Sequence, residues 1–477
     1  MQEGILTDIP GWLKHTPLVT WMVVYFLTCV VGALLILLNY RTFILLFEYF
    51  SGVKLDLPVD KGTLSVLYAL LLGAPLLVWV GYLIGLRLGV SSGKLSGRTD
   101  TFKSPHSWPW AVVTFGACLA VGVWSLIRGG AFEELMAWVQ FDRWIQARWR
   151  LFSQLSFFEF VNLYLFLPLA AGWLLVDAEC GGRWRRILAR LSVVVMLAVE
   201  VLLFQKKSVI VSLLLLMGII VLWRIRSGRT LKRPKLVVGA GSFVLAVIYF
   251  SLVVLPVYRV SEEQISQAVV KRQVSQAAAV RQEWLLELMN EFGGFESHRE
   301  AVFFYALLAP LTRTSVPAIY YSFIFPREHP FYGLDIGQDI LGFGSMPDDN
   351  KVVWKRMNPD IEGGSVAAPF HFVLYSQVGL LGAMLGSFLV GLALGWGWFS
   401  VLGSIQSPAI GAMAGSLIIL LAIYLAIDSV RNSLIVSYGV VWGWLFLFWV
   451  WLAGRIEIVR SGPRVEKKSD QFRTNET

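Results

Sequence analysis

The chain has 477 residues, of which 56% are hydrophobic, 14% aromatic and only 15% charged, a balance that excludes a soluble globular protein of this length. Its net charge of +9 would suit a nucleic-acid binder, but no basic domain interleaved with aromatics stands outside the apolar segments, and that class is set aside. Cys29, Cys118 and Cys180 form neither an even disulfide framework nor a metal-ligand spacing.

A membrane crossing needs about 20 mostly apolar residues. Stretches of that length begin near residues 18, 63, 109, 157, 186, 207, 236, 368, 408 and 432. They predict an all-α polytopic membrane protein with about ten transmembrane helices. The start MQEGILTDIPGWLKHTP lacks the basic head and cleavage site of a secretory signal, so the first apolar run is expected to stay as a span. The loops GLRLGVSSGKLSGRTDTFK, AECGGRWRRILAR and WRIRSGRTLKRPK and the tail RIEIVRSGPRVEKK are rich in Lys and Arg. All face the cytoplasm if both termini do, and that face then carries +12 against −3 outside. The basic excess is thus read as the charge asymmetry of a membrane protein.

Four regions follow: N-terminal membrane helices over 1–257 (about seven spans), an outer loop domain over 258–367, C-terminal membrane helices over 368–453 (about three spans) and a cytoplasmic tail over 454–477. Within the first region, GGAFEELMAWVQFDRWIQARWRLF, with Trp138, Trp144 and Trp149, reads as an amphipathic helix on the outer interface, serving either a substrate or only an aromatic belt. Residues 301–325 are apolar but carry Pro310, Arg313 and Pro317, and counting them as a crossing would put the basic tail outside. They are expected to lie in or dip into the outer interface, where protein or a water-filled cavity covers the backbone.

The polar residues of interest gather on that outer side. Lys206 and Lys207 join two apolar helices in a tight turn and suit a phosphate anion, the alternative being lysines that reach up to lipid head groups. Arg313 sits in an otherwise apolar segment and needs a partner, either a substrate phosphate or a structural carboxylate. Arg259 and Arg431 are weaker cases, since Arg431 can pair with Asp428 at an i,i+3 spacing. The run GLDIGQDILGFGSMPDDN departs from calcium-loop and dinucleotide spacings. Its Asp335, Asp339 and Asp348, with Tyr320, Tyr321 and Tyr375, are read as candidate sugar-binding groups, and no metal site is assigned. His371 and Glu362 are the candidate general bases, with a hydrogen-bonded helix-cap role as the alternative for His371. Gly379, Gly382, Gly386 and Gly391 follow at helical spacing and predict close helix approach.

Three marks in this order resemble the bacterial O-antigen polymerase and ligase superfamily, most closely its oligosaccharide repeat-unit polymerases (Wzy). They are the basic-Ser turn Lys206-Lys207-Ser208, the large outer loop with Arg313, and His371 feeding the helix with Gly379-Leu-Leu-Gly382. The resemblance covers roughly residues 190–400. Lysines stand where the family shows arginine, and the His371 to GxxG spacing is about one turn shorter than in the ligases, which favours a polymerase. The resemblance implies a GT-C-like glycosyltransferase of the bacterial inner membrane, independent of metal and cofactor. Its donor would be an undecaprenyl-pyrophosphate-linked glycan, and its acceptor the terminal sugar of another lipid-linked repeat unit. Partners would be those lipids and a chain-length regulator, with no nucleic acid. Lys206, Lys207, Arg259 and Arg313 would grip the pyrophosphate, and His371 or Glu362 would deprotonate the acceptor. A ligase, a transporter or flippase, and a receptor or assembly factor without chemistry are the alternatives.

Overall fold

The computed structural model describes residues 11–38, 60–92, 107–133, 141–179, 181–203, 206–227, 313–333, 349–357, 366–404, 407–435 and 439–461. The described residues are helical throughout and contain no strand. Seven helices are long and apolar enough to cross a membrane: α1 (Thr16–Leu37), α2 (Lys61–Gly89), α3 (Trp108–Arg128), α5 (Phe157–Ala178), α7 (Ser208–Arg226, opening at Lys206), α10 (Phe370–Leu402) and α11 (Pro408–Leu425). Others are α4 (Phe141–Gln154), α6 (Arg183–Val201), α8 (Ser315–Ile324), α9 (Asp349–Met357), α12 (Val430–Leu434) and α13 (Val440–Ser461).

Of the ten expected crossings, the one near residue 186 appears as α6, which begins RWRRILAR and is less apolar than the seven. The one expected near 432 starts later, as α13, because Ser429 caps the short α12 first. The stretch near 236 lies outside the described residues.

Helix directions follow from which residues meet. Gly81 and Gly85 of α2 abut Phe388 and Leu392 of α10, while Gly391 and Gly395 abut Val78 and Tyr82, so α2 and α10 run parallel. In this seam a Cβ would fall 2.1 to 2.2 Å from a carbonyl oxygen of the other helix, and only glycine allows that approach. Of the expected glycines, Gly391 faces the seam. Gly382 and Gly386 instead lie against Val378 and Leu374 of their own helix. Gly411, Gly415 and Ser416 of α11 meet Arg226, Leu222 and Gly218 of α7, an antiparallel pair.

The helix ends sort into two sets. At the first, Tyr82 donates to Lys14 O at 2.8 Å, Trp398 Nε1 to Leu13 O at 3.0 Å, and Arg226 Nη1 to Val401 O at 2.8 Å. The second gathers Asp60, Arg128, Glu159, α8, α9, the start of α10, and Asp428. Every polar residue read above as outer and described here belongs to the second set.

At that second end lies α8. All ten of its residues are buried, packed against α1, α2, α9 and α10. At about 1.5 Å per residue it spans about half of a 30 Å hydrocarbon layer. The ten residues of α8 are too few for a crossing and are enclosed by protein; residues 301–312 of the same apolar stretch lie outside the described residues.

Candidate functional site

Local irregularity in the long helices builds the floor of the site. The helices α1, α2 and α5 each contain a π-helical turn, at Phe26–Val30, Ala69–Gly73 and Asn162–Phe166. Such turns shift the hydrogen-bond register and leave a carbonyl for an outside donor. Thr28 O accepts from both the Thr314 N–H (3.3 Å) and Thr314 Oγ1 (2.9 Å), anchoring the start of α8 deep in the bundle. Leu71 O accepts from the Tyr25 hydroxyl at 3.3 Å.

Arg313 stands immediately before that anchor, exposed, while Thr314 and Ser315 are fully buried. Near it is Arg148 of α4, half-buried, with its guanidinium 5.8 Å over the Phe152 ring. Phe152 in turn packs edge-on against Phe160 and Tyr164 of α5, at 5.9 and 6.3 Å between centroids. Burial holds the Arg148 guanidinium below its ordinary range; Tyr164 opposes that shift, and the like charge of Arg313 adds to it. Arg148 thus feels the charge of Arg313, and Arg313 itself stands at the N-terminus of α8, where backbone N–H groups also favour an anion.

The amphipathic helix expected around the tryptophans is present as α4. It is Arg148 of that segment, not singled out by the sequence reading, that joins Arg313. Trp138 lies outside the described residues, and Trp144 and Trp149 are described for their backbone only.

Lys206 and Lys207, expected in a turn, open α7 instead, and only their backbone is described. Two cations in a first helical turn oppose the helix dipole by roughly 0.3–1 kcal/mol each unless an anion is near. Just behind them Ser212 Oγ donates to the fully buried Glu200 at 3.0 Å, and Ser208 Oγ to Glu200 O at 3.3 Å, pinning α6 to α7. Asp428 Oδ1 accepts from Ser429 N–H (2.8 Å) and Asn432 Nδ2 (2.9 Å). Arg431 Nε and Nη1 are buried and have no partner among the described residues. Arg259, Glu362, Asp335, Asp339 and Asp348 lie outside the described residues.

His371 is fully enclosed. Its ring sits 5.1 Å from Tyr25, 5.2 Å from Phe370, 4.8 Å from Phe372 and 6.4 Å from Trp21, centroid to centroid. Nε2 lies 3.2 Å from the Tyr25 hydroxyl. Nδ1 is left buried without a partner among the described residues.

The three tyrosines expected on a sugar-facing surface are all buried, and two serve the protein's own hydrogen bonds. The Tyr321 hydroxyl donates to Asp349 Oδ2 at 3.1 Å, where Ser376 Oγ also lies at 3.0 Å. Burial and then the Asp349 carboxylate push the Tyr321 phenol well above its ordinary range, so it stays a proton donor. Tyr375 donates to Phe325 O at 2.7 Å, and Tyr320 is 3% exposed. The cause is the burial of α8, which turns its tyrosines inward.

Above them α10 breaks at Gly379 (φ 73°, ψ −176°), a conformation essentially confined to glycine. The carbonyls of Ser376 and Gln377, freed by the break, accept from the Tyr332 and Gly333 N–H groups at 3.1 and 2.8 Å. Arg327 bonds Asp60, and Arg356 Nε lies 3.0 Å from Glu328 Oε2, tying the 325–333 loop to α2 and α9. Among the described residues no three His, Cys, Asp or Glu side chains converge as a metal would require. Comparison with family models, with curated proteins and with solved structures finds no match.

Proposed function

We propose that this chain is a membrane glycosyltransferase that polymerises polysaccharide, moving a growing glycan from undecaprenyl pyrophosphate onto the terminal sugar of a second lipid-linked repeat unit. The observation that carries the reading is Arg313, exposed at the N-terminus of the buried α8, where Thr314 is anchored to Thr28 O, with the positive charge of Arg148 within electrostatic reach. Two like charges acting on each other favour a multivalent anion, and a pyrophosphate head group supplies one at the membrane surface. Lys206 and Lys207, at the start of α7, and Arg259 complete the cation set in this reading. Fixed cations of this kind stabilise the charge that grows on the departing pyrophosphate.

The acceptor hydroxyl attacks the anomeric carbon, the bond from that carbon to the pyrophosphate oxygen breaks, and the hydroxyl proton passes to a carboxylate or imidazole. A general base must come within hydrogen-bond reach of that proton. His371 is enclosed by aromatic rings, so the role moves to Glu362. In this reading the second end of the bundle is periplasmic, both termini are cytoplasmic, and the membrane is the bacterial inner membrane.

A transporter is disfavoured by a specific feature. The carbonyls freed where α10 breaks are taken by the protein's own N–H groups, whereas transporters use such breaks to hold their cargo. A ligase stays as the second reading, since it would use the same pyrophosphate grip.

The deciding experiment is glycan laddering in cells deleted for this protein and complemented at matched expression with Arg148→Ala, Arg313→Ala or Lys206→Ala/Lys207→Ala. A polymerase gives single repeats on deletion and no ladder with the arginine variants. Loss of single repeats as well would indicate a ligase or flippase, and an unchanged ladder would overturn the reading.

A further inference from the structure

The start of α6 carries a charge pattern that the proposed reaction does not use. This helix opens RWRRILAR, with no acidic residue in its first turn and no side chain capping it. Arg185 leans into the bundle, its guanidinium 5.4 Å over the ring of Trp108, the first residue of α3. Because α3 ends at Arg128, in the second set of helix ends, Trp108 and the start of α6 belong to the first. Arg183, Arg186 and Arg190 are exposed. At i, i+3 and i+7 they fall within about 60° of one another around the helix. The adjoining face, about 120° wide, is apolar and equally open: Trp184, Ile187, Leu188, Leu191 and Val194 are all exposed.

Among the described residues none of the three arginines Arg183, Arg186 and Arg190 forms an ion pair. The acids just before the helix are engaged elsewhere: Glu179 Oε1 lies 4.0 Å from Arg224 Nη2, and Asp177 Oδ1 accepts from Ser107 Oγ at 3.4 Å. Glu200, the one acid within α6, is buried at its far end. Cations in a first helical turn also oppose the helix dipole, so an external anion is favoured. A free phosphate would meet the arginines but gain nothing from the apolar face beside them. An anionic phospholipid meets both, with its phosphate on the guanidinium groups and an acyl chain along Leu188, Leu191 and Val194. Helical side chains lean toward the N-terminus, which brings all three guanidinium groups toward head-group level while their stems cover apolar surface.

We propose that this face of α6 binds an anionic phospholipid in the leaflet at the first end of the bundle. The test needs no glycan, so it stands or falls apart from the polymerase reading. The purified, delipidated full chain in detergent is offered equal amounts of phosphatidylglycerol and phosphatidylcholine, and the bound lipid is counted by native mass spectrometry. The wild type is expected to prefer phosphatidylglycerol by about 100-fold, three factors of about five, one for each arginine at a lipid head group. Arg183→Gln, Arg186→Gln and Arg190→Gln, each the loss of one exposed charge, are each expected to lower that preference about fivefold. Arg87→Gln, at an exposed arginine near the end of α2 in the same set, is the control and is expected to leave it unchanged. A wild type without preference, or a fall as large in Arg87→Gln as in the α6 variants, overturns the site. So does a dimer of the wild type that the α6 variants dissolve while lipid preference holds, which would assign the face to a second copy of the chain.

Discussion

Arg148 lies over Phe152, which packs on Phe160 and Tyr164, and feels the charge of Arg313. Such a residue is stabilised by an anion far more than by its own surroundings. Replacing either arginine by Ala is expected to lower glycan transfer by about 100-fold or more, the usual effect of removing one preorganised electrostatic partner. The double variant is expected to lose little beyond the worse single one, because the two act as a unit; transfer from a lipid-linked donor in membranes checks both. His371 leads to the opposite expectation. If its role is to fill the aromatic cage and bond Tyr25, His371→Ala lowers the melting temperature while transfer per folded molecule stays within about threefold. A general base would instead cost about 100-fold or more per folded molecule. At the surface, the Thr63 N–H, with help from Arg327, holds the Asp60 carboxyl down at about 2. A depressed folded-state value means that Asp60 contributes stability above its unfolded value of about 3.9 and loses it as pH falls toward 2. Asp60→Asn keeps a competent helix cap and is expected to flatten the acid limb of a stability-against-pH profile.

At the scale of elements, the α2 and α10 seam and the break in α10 carry the architecture around the site. Gly379→Ala places a side chain in a backbone region that disfavours it by roughly 1–3 kcal/mol. It is expected to lower thermal stability and to loosen Phe331, whose ring lies 3.4 Å from where the Cβ would stand. Gly391→Val drives its side chain toward a carbonyl of α2, since even a Cβ would lie 2.1 Å from Val78 O, and is expected to abolish folded yield. Gly116 in α3 is the control: nothing lies within 4 Å of a Cβ there. Gly116→Ala is expected to stabilise slightly, by about 0.4–1 kcal/mol. Denaturation in detergent, read by intrinsic Trp fluorescence, ranks the three. Glycine spacing in the sequence pointed to a close seam along α10, yet Gly382 and Gly386 face their own helix. Spacing defines a face, but which neighbour covers it depends on the partner helix.

For the whole molecule, the two sets of helix ends can be mapped by single cysteines in a Cys-free background with a membrane-impermeant maleimide. Cysteines at Arg313 and Lys351 are expected to label from the periplasmic side, and at Arg186 and Arg224 only after permeabilisation. The reverse pattern would invert the proposed topology. Composition and apolar run lengths by themselves determined that the chain is helical and built to cross a membrane, because a backbone in hydrocarbon must satisfy its own hydrogen bonds. They also marked residues 301–325 as a stretch apart and picked out Arg313, because a cation in an apolar segment is conspicuous in a linear reading. The burial of α8 on every side, the enclosure of His371 and the inward turn of Tyr321 and Tyr375 were decided only by tertiary packing. So was the electrostatic proximity of Arg148 and Arg313, which stand 165 positions apart in the chain. Arg313 is positioned by its neighbour Thr314, which bonds Thr28 O within the π-helical segment of α1. Such a carbonyl has no signature in residue type; it exists only once the helix has formed and its neighbour has docked.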